Sequence, residues 1–193
     1  METRDKIKEW FIDNKVRIIG VGAAGSGKDY FKDYLHSIGF PVDVSYTTRP
    51  MRSGEVNGYT YNYVKQPTFD NLVNRGLMYE SVKFNGWSYG TAMVNWNLGG
   101  YFIMTPSGVD QIDPNDSYNT VVVYFDIDEK VRRQRVSTRS DADSTDRRIE
   151  ADNKDFEKFQ ELCNMFPFTL TVNYENYNPE TLFLQIHSIV QTN

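Results

Sequence analysis

Lys28 closes a glycine-rich run, Gly22-Ala-Ala-Gly25-Ser26-Gly27-Lys28-Asp29, that meets the spacing Gly-x4-Gly-Lys in full. The chemistry such a run supports is phosphate binding. Glycines let successive backbone N–H groups curl around an anion, and the N-terminus of a following helix adds partial positive charge. The lysine ammonium then reaches between the β- and γ-phosphates of a nucleotide. The residue after the lysine is ordinarily Ser or Thr, whose hydroxyl holds Mg²⁺; here it is Asp29. A carboxylate is a hard ligand that suits Mg²⁺, although it places negative charge near the phosphates. The same stretch, Gly20-Val-Gly22-Ala-Ala-Gly25, also spells G-x-G-x-x-G, with Asp43 near the position of a dinucleotide fold's ribose-binding acid. That fold gives no role to Gly27-Lys28, so the phosphate loop is preferred. A glycine turn without ligand is the plain alternative.

Further candidates follow along the chain. Arg49 and Arg52 are two fixed cations on one loop, suited to a phosphate through forked N–H donors. Tyr61 and Tyr89 can add hydroxyl donors while their rings wall a pocket. A solvated basic loop with tyrosines packed on the core is the bland reading of the same residues. Arg135 and Arg139, four apart on an expected helix, share a face. Arg147 and Arg148 open the next helix beyond the polar loop 140–146. Isolated arginines of this kind are otherwise a solvated charged surface.

The elements that must position these residues are readable from periodicity. Val16 to Val21 is β-branched and buried-looking, and Tyr30 to Leu35 has helical spacing, so the glycine run joins strand to helix. Ile7, Trp10 and Phe11 mark an amphipathic helix over 3–14. A short strand is expected at Val42 to Ser45, a loop from Tyr46 to Gly58, and an alternating, half-exposed strand from Tyr59 to Val64. A helix is expected from Pro67 to Gly76. Met78 to Phe84 and Trp87 to Tyr89 read as a hairpin turning at Asn85-Gly86. Then come a helix from Thr91 to Leu98, strands at Tyr101 to Met104 and Thr120 to Phe125, and a helix from Asp128 to Arg139. A helix from Arg147 to Cys163, a strand from Phe168 to Val172 and a helix from Pro179 to Val190 complete the chain. Strands alternate with helices at both ends, and a hairpin-rich piece interrupts the middle: an α/β core with a β-rich insertion.

Composition narrows the function classes. With 193 residues the chain fits one domain carrying a small insertion or lid. Net charge −5 argues against a general nucleic-acid binder. No apolar run reaches bilayer length and the N-terminus lacks the apolar core of a signal peptide, so a cytoplasmic setting without a membrane partner is expected. One cysteine, Cys163, and two histidines, His36 and His187, leave little for an internal disulfide or a Cys/His metal cluster.

From Ser45 the chain reads Ser-Tyr-Thr-Thr-Arg49-Pro-Met-Arg52-Ser-Gly-Glu55-Val-Asn-Gly58-Tyr-Thr-Tyr61. With the phosphate loop, and with Glu80…Gly86-Trp-Ser-Tyr89-Gly90-Thr91 further on, this resembles the guanylate kinase family at every specified position of that pattern. The resemblance implies a P-loop kinase core: an α/β fold with a parallel sheet flanked by helices, an inserted β-rich monophosphate-binding subdomain and a short helical lid. The core would hold about 1–44, 92–134 and 164–193, the subdomain about 45–91 and the lid about 135–163. It implies ATP-dependent, Mg²⁺-assisted phosphorylation of GMP or dGMP, by a monomer or homodimer.

By the same resemblance Gly22, Gly25, Ser26, Gly27 and Lys28 cradle the triphosphate of ATP, and Asn173 meets its adenine side. Ser45, Arg49, Arg52, Tyr61 and Tyr89, next to Gly90, hold the monophosphate. Glu80 and Thr91 address guanine, whose N1–H and N2–H₂ donors match a carboxylate; adenine N1, an acceptor, would be repelled. Arg135, Arg139 and Arg148 close over the phosphates in exchange. One departure stands out. The family's Asp-x-Asp at the end of the strand Tyr101 to Met104 is replaced by Ile103 and Thr105. One of those acids serves the metal and the other guanine. The expectation is that Asp29 takes over the metal role, with a helix N-terminal charge as the alternative, and that base selectivity at Thr105 is altered. A nucleoside monophosphate kinase of different base choice and a non-catalytic, phosphopeptide-binding scaffold domain are the competing functions.

Overall fold

The computed structural model describes residues 2–137, 145–157 and 159–191. Its elements begin with α1 (Glu2–Asp13), β1 (Arg17–Val21), α2 (Lys28–Ser37), β2 (Tyr46–Thr47), β3 (Asn62–Tyr63) and α3 (Gln66–Asn74). They continue with β4 (Met78–Phe84), β5 (Trp87–Ala92), α4 (Met93–Leu98), β6 (Gly100–Ile103) and α5 (Pro106–Val109). A 3-10 turn (Pro114–Asn119), β7 (Thr120–Phe125), α6 (Glu129–Ser137), α7 (Thr145–Asp155), α8 (Phe159–Cys163), β8 (Phe168–Val172) and α9 (Pro179–Gln191) complete the order.

Strands β1 and β7, apolar beyond the buried Arg17 and Thr120 at their first positions, form the centre of a parallel sheet ordered β6-β1-β7-β8. Strands buried on both faces read as near-continuous apolar runs. Successive side chains alternate accordingly. Ile18, Val121 and Val123 pack toward Phe11, Phe31, Leu35 and Phe183 of α1, α2 and α9. Ile19, Val21 and Val122 pack toward Trp96, Val109 and Phe159 of α4, α5 and α8. Parallel strands with helices on both faces place loops at the strand C-termini along one edge, where α/β folds bind ligands. There β1 runs into the glycine loop, β6 into Met104-Thr105, and β8 into the segment before α9. A second, mixed sheet ordered β3-β2-β5-β4 stands beside this edge.

Several elements differ from the sequence reading, each for a local reason. The alternating stretch 59–64 forms strand only at β3, because a turn over 56–61 takes its first backbone groups: Thr60 N–H donates to Val56 O and Gly58 N–H to Tyr61 O. Val42 makes an isolated bridge to Tyr101 rather than a strand, with Asp43 N–H on Tyr101 O. Thr91 lies within β5 instead of opening a helix, and Tyr46 and Thr47 form strand β2 inside the expected loop. The helix expected from Arg147 to Cys163 is broken between α7 and α8. The break lets Phe156 stack on Tyr124 at 5.7 Å while Phe159 meets the same ring edge-on at 4.9 Å. The hairpin turn is as expected: Asn85 and Gly86 both take positive φ, 51° and 82°.

Candidate active site

The glycine loop is held from three sides. Gly27 takes φ 103°, a left-handed conformation, and opens α2. A Cβ at Gly22 would lie 2.7 Å from Phe125 O and from Ser26 Oγ, so only glycine lets the loop pack here. The Tyr177 hydroxyl donates to Gly27 O at 2.8 Å, and Arg135 donates to Gly25 O at 3.0 Å and Glu175 O at 2.9 Å. Lys28 Nζ donates to Gly22 O, to Ala23 O at 3.0 Å and to Ser26 Oγ at 3.3 Å, folded over the loop it closes. Asp29 lines the cleft in front of the loop. Burial, with the negative charge of Asp29 adding to it, raises the Tyr61 and Tyr101 hydroxyls above their ordinary range.

Opposite the loop, the mixed sheet presents the basic pair. Arg49 is buried, and its guanidinium forks onto Glu55, at 3.0 Å and 2.7 Å, with a third bond to Pro50 O at 2.9 Å. Its carbon centre lies 5.5 Å from the Tyr61 ring and 5.7 Å from Tyr63. Glu55 also accepts from the Tyr63 hydroxyl and from Arg52 N–H, each at 2.7 Å. Burial alone would raise the Glu55 carboxyl, but the Arg49 bonds, the Tyr63 hydroxyl and the Arg52 amide hold it at about 2. Glu55 thus fixes the rotamer of Arg49 and the loop carrying Arg52, leaving two Arg49 N–H groups for an anion. Ser45 donates to Asp43 at 2.6 Å. The Tyr61 and Tyr89 rings stand 6.0 Å apart, edge to face.

Between the two walls sits Glu80, 6% exposed, on β4. The Thr91 hydroxyl, from the paired strand β5, donates to its Oε1 at 2.9 Å. Its Oε2 is sheltered beside Gly108 and has no partner among the described residues. Burial therefore raises the Glu80 carboxyl to about 7, against the lowering influence of the Thr91 bonds. Thr105 is turned toward the backbone of α5 instead. Its Oγ1 accepts from Gly108 N–H at 3.2 Å and caps the helix, and its carbonyl accepts from Gly108 and Val109.

A continuous cleft of about 1020 Å³ joins these parts, lined by Gly22 and Gly25 to Asp29, by Ser45, Arg49, Arg52, Tyr61, Glu80, Tyr89 and Gly90, and by Thr105 and Arg135. Thr91 reaches it through Glu80. Asn173 is exposed and does not line it; Glu175, Asn176 and Tyr177 form that wall instead. Arg139 lies outside the described residues, as does the side chain of Arg148, whose backbone is in α7. Three contributors escaped the sequence reading. Glu55 was visible as the acid six residues after Arg49. Asp155, also in the cleft, accepts from the Ser107 hydroxyl at 3.3 Å. Asp152 is buried, accepts from Ala24 N–H at 2.7 Å, and faces buried Arg132 at 3.9 Å. It lies one helical turn beyond Arg148, a spacing that could have flagged it.

A parallel sheet, a glycine loop at its C-terminal edge and a facing mixed sheet across one cleft define an α/β P-loop kinase fold. Residues 14–98 match the family model described as Guanylate kinase. A guanylate kinase of Legionella pneumophila is 37% identical over 82 residues, covering 42% of this chain and 39% of that protein. One from Syntrophotalea carbinolica is 35% identical over 88 residues, with coverage of 42% and 39%. The chain thus spans about two fifths of the length of these relatives. The crystal structure of guanylate kinase from Anaplasma phagocytophilum superposes with a TM-score of 0.63 over 92% of this chain and 86% of that one, at 19% identity. The resemblance to the guanylate kinase family is therefore borne out, in sequence over residues 14–98 and in fold over nearly the whole chain.

Proposed function

We propose that this chain transfers the γ-phosphoryl group of ATP to a guanine mononucleotide, GMP or dGMP, giving ADP and GDP or dGDP. The observation that carries the reading is Glu80. A buried carboxylate with an unpartnered oxygen shares one cleft with Lys28 and the glycine loop. A base edge bearing N–H donors is the complement of that carboxylate, and adenine N1 is not. The mixed sheet, about 45–91, would serve as the monophosphate-binding part, and about 135–163, which includes α7, as the lid.

The attacking group is a phosphate oxygen whose second pKa is about 6, so it is largely deprotonated at neutral pH without a general base. Catalysis then rests on positioning and charge neutralisation. Arg49, fixed by Glu55, and Arg52 would hold the monophosphate. Lys28 would leave the carbonyls of Gly22 and Ala23 for the triphosphate, and Arg135 stands at the rim of the same loop. Arg139 and Arg148 are proposed to join it when the lid closes and excludes water.

For Mg²⁺ the donor set is thin: among the described residues no group of three or more His, Cys, Asp or Glu side chains could hold a metal. That fits an ion held chiefly by phosphates and water, with Asp29, directly after Lys28, as a protein carboxylate that could join it. The ion would neutralise charge on the phosphates. A coupled assay of ADP release, with and without GMP, tests the proposal. ATP consumption that is independent of GMP would refute it.

A further inference from the structure

We propose that Asp152 is a built-in competitor of the triphosphate: its carboxylate occupies an amide of the glycine loop, and ATP binds by displacing it. This rests on the reading of the glycine loop as the triphosphate site and adds how that site is closed when empty. Asp152 stands on α7, is 7% exposed and accepts the Ala24 N–H at 2.7 Å. Ala24 is the third residue of the glycine run and lines the cleft. The backbone N–H groups of such a run are the donors that phosphate oxygens use. One N–H serves one strong acceptor, and two anions brought to the same donor repel. The carboxylate and a phosphate oxygen therefore exclude each other at Ala24.

The empty loop is satisfied by its own chain in both polarities. Lys28 Nζ lies on the carbonyls of Gly22 and Ala23, and Asp152 supplies the anion. Arg132 keeps that anion in place. Its guanidinium is buried and held by an Nε bond to Ile127 O at 2.9 Å. Its Nη1 lies 3.9 Å from Asp152 and has no hydrogen-bond partner among the described residues. A fixed cation at that range favours the ionised, docked carboxylate. Other polar ties of α7 are longer or exposed. Asp155 takes the Ser107 hydroxyl and Asn153 donates to Glu129, each at 3.3 Å, and Asp146 pairs with Arg133 at the surface. A rotamer change of Asp152 or a small shift of α7 thus frees the amide. The apparent Kd is the intrinsic Kd divided by the fraction of molecules whose amide is free. A charge-assisted bond of this kind makes that fraction about one tenth or less.

The test is calorimetric binding of ATP with Mg²⁺, and separately of GMP, to the full chain and to Asp152→Asn and Asp152→Ala, with melting curves establishing that each variant is folded. Asparagine keeps an acceptor on Ala24 and loses the charge; alanine loses both. The Kd for ATP should fall about threefold or more in Asp152→Asn and about tenfold or more in Asp152→Ala. The Kd for GMP, bound against the mixed sheet, should move less than about twofold. A crystal structure of the wild-type chain with ATP should show Ala24 N–H on a phosphate oxygen and Asp152 turned away, and it decides the matter if neither variant folds. ATP bound with Asp152 still on Ala24, or an ATP affinity that is level or weaker in the variants, overturns the inference and leaves the glycine loop as the triphosphate site. An equal gain for GMP also overturns it, as a general effect of charge. ATP binding to neither wild type nor variants overturns the triphosphate reading itself, and this inference with it.

Discussion

Replacing Glu80 by Gln separates what this residue costs the fold from what it gives the ligand. The carboxyl titrates at about 7 instead of 4.5 because it is buried. The folded chain thus holds this proton more tightly than the unfolded chain does. Stability from this group is complete below about pH 4.5, declines as pH rises toward 7, and is fully lost above it. The interval from 4.5 to about 7 corresponds to about 3 kcal/mol at most, at 1.36 kcal/mol per pH unit. Gln removes that cost but places an amide N–H₂ or carbonyl where Oε2 had no partner, which costs about 1 kcal/mol or more.

The net gain at pH 8.5 is therefore about 1–2 kcal/mol, or about 2–8 °C in Tm for a chain of this length. At pH 5 the gain vanishes or reverses. GMP affinity moves the other way, because Gln offers the N1–H of guanine one neutral acceptor in place of a carboxylate. Thermal melts of wild type and Glu80→Gln at pH 5 and 8.5, with and without GMP, check both halves. A variant equally stable at both pH values relative to wild type would show that Glu80 does not carry a burial cost.

Three other outcomes follow from the same geometry. Arg135→Ala removes the bonds to Gly25 O and Glu175 O; kcat should fall by more than about tenfold with the fold intact by circular dichroism, and wild-type turnover would remove Arg135 from the machinery. Asp29→Ala should raise the Mg²⁺ concentration needed for half-maximal rate several-fold; an unchanged requirement would leave Asp29 a helix N-terminal charge. Asp152→Asn keeps an acceptor for Ala24 N–H and removes negative charge beside the triphosphate, so KM for ATP should fall about threefold or more. The Tm should drop too, because buried Arg132 loses its counter-charge. An ATP KM that is unchanged or higher would contradict the placement of Asp152.

What the sequence disclosed was whatever is fixed by local chemistry. The apolar runs at β1 and β7, the Asn85-Gly86 turn and the spacing from Gly22 to Lys28 each need only their neighbours to be read. The family pattern from Ser45 to Thr91 brought together residues that the strands then placed on one wall. Contacts spanning long sequence separations were hidden. Asp152 reaches Ala24 across 128 residues, and nothing in either segment announces the other. The conversion of Thr105 to a helix cap depended on α5, a single turn too short to show a period. Ile149, Phe156, Phe159 and Cys163 suit one stripe of a single helix, and the break between α7 and α8 answers to Tyr124 on β7. Asn173 fell outside the cleft because the segment leaving β8 carries Glu175 to Tyr177 past it before α9 begins.

The central claim, that one cleft brings a triphosphate on the glycine loop against a guanine mononucleotide at Glu80, is tested most directly by label transfer. Incubating the full chain with ATP labelled at the γ-phosphate, Mg²⁺ and unlabelled GMP should yield labelled GDP and no labelled free phosphate. Lys28→Ala, which removes the ammonium from the loop, should abolish it. Label appearing as inorganic phosphate, or GDP forming equally well with Lys28→Ala, would contradict the account.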